Sequence, residues 1–83
     1  MGVKGYVFIR LSDGVNPQDC LDVRQRLESI QEVVHVDGLI DMDDFDMLAL
    51  VDAPITVSDV ARRIEKLPGI AKVKPVRIIP ESQ

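Results

Sequence analysis

The sequence predicts an α+β domain whose elements follow the order β-α-β-β-α-β. Two segments, beginning near Pro17 and Val57, carry apolar residues at spacings of three and four, as amphipathic helices do. Stretches rich in β-branched residues lie before, between and after them, at 5–11, 33–52 and 70–79. The middle stretch is interrupted by an acidic segment and is therefore predicted to be a hairpin of two strands.

An internal repeat supports this element order. An offset of 37 residues carries the first helical stripe onto the second, and the strand beginning at Val33 onto the strand beginning at Ile70. A helix and a strand repeated in this way are typical of a split β-α-β pair. Right-handed crossovers then place both helices on one face of a four-stranded antiparallel sheet, with strand order 4-1-3-2. The fold class predicted is therefore ferredoxin-like, as one domain over residues 1–83.

The first strand, Gly5 to Leu11, is apolar on both faces, because Val7 and Ile9 alternate with Tyr6 and Phe8. We therefore expect other parts of the protein, or a partner, to shield both faces of the sheet from water at this strand.

The helices carry start and stop signals of their own. Asn16 followed by Pro17 predicts the start of the first helix, which should run to about Ile30. Thr56 predicts the start of the second, and Pro68-Gly69 its end. The stripes predicted to face the sheet are Cys20, Val23, Leu27 and Ile30 in the first helix and Val57, Val60, Ala61, Ile64 and Leu67 in the second.

The last strand, Ile70 to Ile79, contains Pro75, which cannot donate a ladder hydrogen bond. This predicts an edge strand, with a bulge as one way to accommodate the proline. Its basic residues, Lys72, Lys74 and Arg77, serve more often to protect an edge than to form a binding patch.

Composition limits the classes of function. With 14 acidic and 10 basic residues the net charge is −4, which disfavours a nucleic-acid interface. No apolar run reaches the roughly 20 residues of a membrane span, and the N-terminal residues lack the features of a secretory signal. The single Cys20 excludes an internal disulfide and fits a reducing compartment. We therefore expect a cytoplasmic protein without a membrane or nucleic-acid partner.

The sheet face opposite the helices is also expected to be apolar. We assign Tyr6, Phe8 and Met47 to it as a dimer face, because a large apolar face is seldom left in water. A second copy packing sheet against sheet is the preferred cover, and irregular loops are the alternative.

The acidic hairpin segment offers the only cluster of reactive side chains. Asp41, Asp43, Asp44 and Asp46 suggest a cation site, but the EF-hand pattern is not met, and a solvated turn is preferred. The lone His35 lacks a second ligand, and no serine elbow, phosphate loop or dinucleotide fingerprint occurs. We therefore expect no enzyme, no metal and no cofactor.

Four short segments carry a family resemblance. They are Tyr-Val-Phe-Ile at 6–9, Glu-Val-Val-His-Val at 32–36, Asp-Phe-Asp-Met-Leu at 44–48 and Lys-Leu-Pro-Gly-Ile at 66–70. Together they resemble the effector (RAM) domain of the Lrp/AsnC transcription regulators over residues 5–79, in the form that lacks a helix-turn-helix.

The resemblance implies a dimer formed sheet to sheet, rings of dimers, and amino-acid effectors bound between dimers near the hairpin. The residues it implicates as a ligand site or an interdimer contact are Met42, Asp43, Asp44, Phe45 and Asp46. Where the family pattern is Thr-Gly-Glu-Tyr-Asp, the threonine and glycine are replaced, and Asp43 takes the place of the residue suited to positive φ. Asp46 has a structural alternative, which is to accept hydrogen bonds from backbone N–H groups across the hairpin.

The function implied is a stand-alone ligand-sensing and oligomerisation domain, able to assemble with full-length regulators. The alternative is a protein- or peptide-binding module of the same fold, similar to the chaperone that matures periplasmic nitrate reductase. A small dimeric α/β-barrel monooxygenase is a third class, with less support because no reactive pair accompanies His35.

Overall fold

A computed structural model describes residues 3–54 and 56–78. Its elements are β1 (Val3–Leu11), α1 (Pro17–Glu28), β2 (Val33–Gly38), β3 (Met47–Ala53), α2 (Val57–Glu65) and β4 (Ile70–Arg77). The strands form one antiparallel sheet in the order β2-β3-β1-β4, which is 4-1-3-2 from the other edge. The predicted fold class and strand order are confirmed. Of the last predicted strand, Ile79 lies outside the described residues.

The predicted caps form. The Asn16 side chain accepts a hydrogen bond from the backbone N–H of Asp19 at 2.8 Å, and the Thr56 hydroxyl accepts one from Asp59 at 3.1 Å. Each satisfies a backbone donor in the first helical turn. Helix α1 ends at Glu28, two residues before the predicted Ile30, which still packs against the core.

The core lies between the sheet and both helices. Val23 and Leu27 of α1 and Val57, Val60, Ala61 and Ile64 of α2 belong to one buried cluster with Val7 and Ile9 of β1. Cys20 and Leu67 pack at its margin, half-buried. The two stripes read from the sequence therefore face the sheet, as predicted. Within residues 3–54 and 56–78, neither helix is long and apolar enough to span a membrane.

Close packing of α2 on the sheet depends on Gly5. A Cβ atom at this position would stand 2.5 Å from the backbone oxygen of Val76 and 2.7 Å from a methyl group of Val57. Glycine is therefore the residue that lets the start of α2 cross β1 at this distance.

Strand register decides which side chains share a face, because directly paired residues point the same way. Ile9 pairs with Met47, and both are buried in the core. Phe8 pairs with Leu48 on the opposite, helix-free face. The assignment of Met47 to the dimer face is therefore wrong: it lies under the helices, one residue out of phase with Phe8.

Both edges carry an irregularity. The register of β4 on β1 shifts between Arg10 and Leu11, and that of β2 on β3 shifts between Val33 and His35. β4 is an edge strand, as Pro75 predicted. The second shift keeps Val33 and Val36 in the core while Val34 is turned out to solvent, 62 % exposed.

Candidate functional site

The helix-free face of the sheet has an apolar centre. Two transverse rows cross it, each formed by paired residues of successive strands. One runs Asp37, Leu48, Phe8, Lys74, and the other runs His35, Leu50, Tyr6, Val76. Tyr6, Phe8, Leu48 and Leu50 are half-buried by one another, and Val76 is exposed. We call this surface the open face.

The structure places Tyr6 and Phe8 on the open face, as predicted from the sequence. In β3, the residues on the open face are Leu48 and Leu50, and not Met47 as predicted. Alternation within β3 separates these two sets but does not say which set faces the helices. The register with β1 settles the question, and that register was not visible in the sequence.

The hairpin connection is longer than a tight turn. β2 ends at Gly38 and β3 begins at Met47, so the connection covers residues 39–46. Met42, Asp43 and Asp44 are exposed at its tip, with Met42 at 44 %. Among the residues that the structure describes, the non-glycine residue with positive φ is Asp41, at 64°, and not Asp43 as expected from the family pattern.

Phe45 folds back over one end of the open face. Its ring centroid lies 5.5 Å from that of Phe8 at an interplanar angle of 44°, within the range of favourable aromatic pairs. The ammonium of Lys72 lies 5.6 Å from the Phe45 centroid, a cation–π distance. With only 6 % of its surface exposed, Phe45 seals this end of the face rather than offering a free contact.

Asp46 anchors the hairpin connection to β1. Its Oδ2 accepts a hydrogen bond from the Leu11 backbone N–H at 2.8 Å, and its own N–H donates to the Ile9 carbonyl at 2.8 Å. Its carbonyl accepts from the Leu39 N–H at 2.9 Å, which closes the connection at its base. Asp46 therefore has a structural role, as the alternative predicted. Its carboxylate accepts a hydrogen bond from the backbone of β1 and not from the other strand of the hairpin.

A shallow cleft lies between the hairpin connection and the turn that follows β1. Its volume is about 300 Å³, and its lining includes Arg10, Ser12, Asp13, Cys20, Asp43 and Asp46. One basic residue and three acidic residues are thus among those that line this shallow space. This combination suits a zwitterionic ligand, because both of its charged groups find an opposite charge.

The remaining candidates show no reactive geometry. The His35 Nε2 atom lies 2.7 Å from Asp37 Oδ1 on the open face, and both side chains are largely exposed. Within the described residues no three His, Cys, Asp or Glu side chains are placed to share a metal ion. Asp41, Asp43 and Asp44 at the tip are exposed to solvent.

One ion pair outside the site perturbs a pKa. Arg63 of α2 donates to Glu32, just before β2, at 2.6 Å. This hydrogen bond from Arg63, followed by a backbone hydrogen bond, lowers the pKa of Glu32 below its usual value.

Several solved structures have a fold similar to that of this chain. An AsnC family transcriptional regulator from Agrobacterium tumefaciens matches over 99 % of this chain and 53 % of its own, with 20 % identity and a TM-score of 0.76. MtbAldR matches over 98 % of this chain and 54 % of its own, with 13 % identity and a TM-score of 0.76. TTHA0845 from Thermus thermophilus matches over 98 % of both chains, with 18 % identity and a TM-score of 0.73. No protein-family model and no curated protein matches the sequence.

These matches identify the fold of the chain. The chain has the fold of a domain that makes up about half of an AsnC family transcriptional regulator. The resemblance to Lrp/AsnC effector domains is thus confirmed at the level of the fold. The chain spans about half the length of that regulator and of MtbAldR, and nearly all of TTHA0845.

Proposed function

We propose that this protein is a regulatory assembly domain that pairs with a second copy through the open face and binds a small zwitterion, such as an amino acid, beside the hairpin. Assembly with full-length regulators through the same face belongs to this proposal. The observation that most supports this proposal is the apolar centre of the open face, which neither helix covers.

Size and polarity both favour self-association. A chain of 83 residues encloses only one helix–sheet core, and packing a second sheet on the open face adds another apolar layer. Tyr6, Phe8, Leu48 and Leu50 form a contiguous cluster at its centre, flanked by charges at both edges. An apolar centre with a polar rim is the usual anatomy of a protein interface.

Analytical ultracentrifugation of Phe8→Lys tests the assembly. A lysine at the centre of an apolar interface loses its hydration without gaining a partner, so we expect a folded monomer. Leu21→Lys is the matched control, because Leu21 is an apolar residue 56 % exposed on α1, away from the open face. It should leave the dimer intact.

A well-folded wild-type monomer at high micromolar concentration would contradict the assembly proposal. An open face free in the monomer would instead favour the peptide-binding function. Titration with extended apolar peptides, followed through chemical shifts of Tyr6 and Phe8, then distinguishes the two.

Ligand binding beside the hairpin rests on the charged cleft. Arg10 can pair with a carboxylate and Asp43 with an ammonium group, while the Asp46 carboxylate is already used by the Leu11 N–H. Asp44 does not line the cleft and stands in water. Substitution of Asp43 should therefore remove a ligand contact, whereas substitution of Asp44 should remove only a surface charge.

Calorimetry against the common amino acids tests this part. We expect Asp43→Ala to weaken binding by about tenfold or more, the loss of one charge-assisted hydrogen bond, and Asp44→Ala to have little effect. Absence of heat with every amino acid would limit the function to assembly.

A further inference from the structure

The sheet ends at β2 on the side opposite β4. An edge strand presents backbone N–H and C=O groups on which another strand can form a ladder. The edge of β4 has two common protections, Pro75 and a series of basic side chains. The sequence of β2, Val-Val-His-Val-Asp-Gly, contains neither proline nor lysine. The edge of β2 therefore depends on some other protection.

The ladder between β2 and β3 shows which backbone groups face this edge. In an antiparallel pair, residues that exchange hydrogen bonds alternate with residues whose N–H and C=O groups point away from the partner strand. The Leu39 N–H donates to the Asp46 carbonyl at 2.9 Å. Val36 lies three positions earlier in the same register, and this odd number places it among the residues that point away. The polar groups of Val36 therefore face the free edge, although its side chain is buried in the core.

This edge is complementary to a second copy of itself. With two β2 strands antiparallel and Val36 opposite Val36, each N–H of that residue meets the carbonyl of the other copy. The same register sets His35 of each copy opposite Asp37 of the other, and within one copy this imidazole and carboxylate already lie 2.7 Å apart. It also sets Val34, which is 62 % exposed, opposite Gly38, which has no side chain to obstruct it. A second copy is thus a strand that fits this edge in hydrogen bonding, charge and size.

Arg24 of α1 occupies the acceptor that such a pairing requires. Its Nη2 donates a partly buried hydrogen bond to the Val36 carbonyl at 2.8 Å. Its Nε lies 3.6 Å from a carboxylate oxygen of Glu28, one turn further along the helix, and this contact helps to orient the side chain. An incoming strand would have to displace the guanidinium. It would then exchange a charge-assisted hydrogen bond for a weaker one between neutral groups.

The position of this contact along β2 makes it effective. The register shift between Val33 and His35 leaves residues 35–38 as the regular part of the strand. Val36 is the residue on which the antiparallel pairing of two such short segments is centred. One hydrogen bond from α1 therefore obstructs the centre of the available edge.

We propose that Arg24 prevents a second copy of the chain from pairing with β2 edge to edge, and that removing its side chain opens this edge to that pairing. The contact controls how far the protein can assemble. One two-fold interface closes into a dimer, whereas two different two-fold interfaces on one chain extend into larger assemblies. The inference stands apart from the pairing of open faces, because an accessible β2 edge adds a contact to a monomer as well as to a dimer.

Sedimentation velocity of Arg24→Ala over a series of concentrations tests the proposal. We expect its weight-average mass to rise to about twice that of the wild type or more at equal, high micromolar concentration, because each chain gains one two-fold interface. Circular dichroism verifies that the variant is folded. A mass change in an unfolded variant would not report on the edge, so the comparison is made well below its melting temperature.

A second substitution identifies the surface responsible. Val34→Lys places an exposed lysine on the edge of β2, a change that disfavours edge pairing because two copies bring like charges together. In the double variant Arg24→Ala/Val34→Lys the mass should return to that of the wild type. Aggregation through any other surface would persist in this double variant.

Two controls separate the hydrogen bond from the charges around it. Glu28→Ala removes the ion pair of Arg24 but leaves its guanidinium able to donate to Val36. Arg26→Ala removes an exposed positive charge from the last turn of the same helix. Both variants should keep the mass of the wild type.

The result that overturns the proposal is a folded Arg24→Ala protein whose mass equals that of the wild type at every concentration. An increase in mass that Val34→Lys does not remove overturns it as well. The state of the wild type decides the other proposal: a wild-type monomer contradicts pairing through the open face, and Arg24→Ala should then form a dimer through β2.

Discussion

Replacing Leu27 by alanine tests whether the stripe read from the sequence carries the stability of the fold. Leu27 is fully buried between α1 and the sheet. The substitution removes buried methyl groups and leaves a cavity, which costs about 2 to 5 kcal/mol for leucine to alanine. The total stability of a chain this long is about 4 to 12 kcal/mol, so this loss is a large share of it.

Leu21 supplies a matched control on the same helix. It undergoes the same chemical change, but its side chain is 56 % exposed. Since alanine favours helix slightly more than leucine does, Leu21→Ala should change the free energy of unfolding by less than about 0.5 kcal/mol. The difference between the two variants therefore isolates burial from helix propensity.

Urea denaturation followed by far-ultraviolet circular dichroism measures both free energies. All variants must be compared at one protein concentration, because the proposed dimerisation would add to apparent stability by mass action. A loss below about 1 kcal/mol for Leu27→Ala, or one equal to that of Leu21→Ala, would mean that α1 does not pack as described.

Three further predictions follow from single contacts. Gly5→Ala should destabilise the protein by well over the roughly 0.5 kcal/mol of an ordinary surface substitution, because the added methyl group meets the backbone of β4. A melting temperature unchanged from wild type would refute the close approach. Asp46→Ala should cost about 1 to 3 kcal/mol in urea denaturation by freeing the Leu11 N–H, whereas a neutral result would show that the hairpin anchor is dispensable. The pKa of Glu32 is lowered in the folded state by its bond from Arg63, so its stabilisation is present above the usual glutamate pKa and is lost as pH falls through the lowered value. Glu32→Gln should therefore make unfolding free energy less dependent on pH in that acidic range, and an unchanged pH profile would count against the ion pair.

The sequence by itself determined the elements and most of the core. Helical stripes at spacings of three and four, the caps Asn16 and Thr56, and the 37-residue repeat are local signals, and each corresponds to what the structure contains. The edge position of β4 was predicted both by Pro75 and by the strand order that the repeat implies. These features follow from the hydrogen-bonding groups and the periodicity of short segments. They could therefore be predicted without knowledge of contacts between distant segments.

The candidate site depended on contacts between segments, and here the sequence was less informative. β3 is apolar on both sides, so alternation could not say whether Met47 or Leu48 faces the helices. Likewise, nothing near Phe45 indicated that its ring would cross onto Phe8, or that Asp46 would bind the Leu11 N–H.

Only the tertiary structure decided these placements, because they are set by pairing between strands far apart in the chain. Shifting one strand by a single residue moves all of its side chains to the other face. The register of β1 with β3 therefore brought Tyr6, Phe8, Leu48 and Leu50 together on the open face. Each strand's own sequence carries the alternation, but only its neighbours determine which alternate set meets the helices and which lies on the open face.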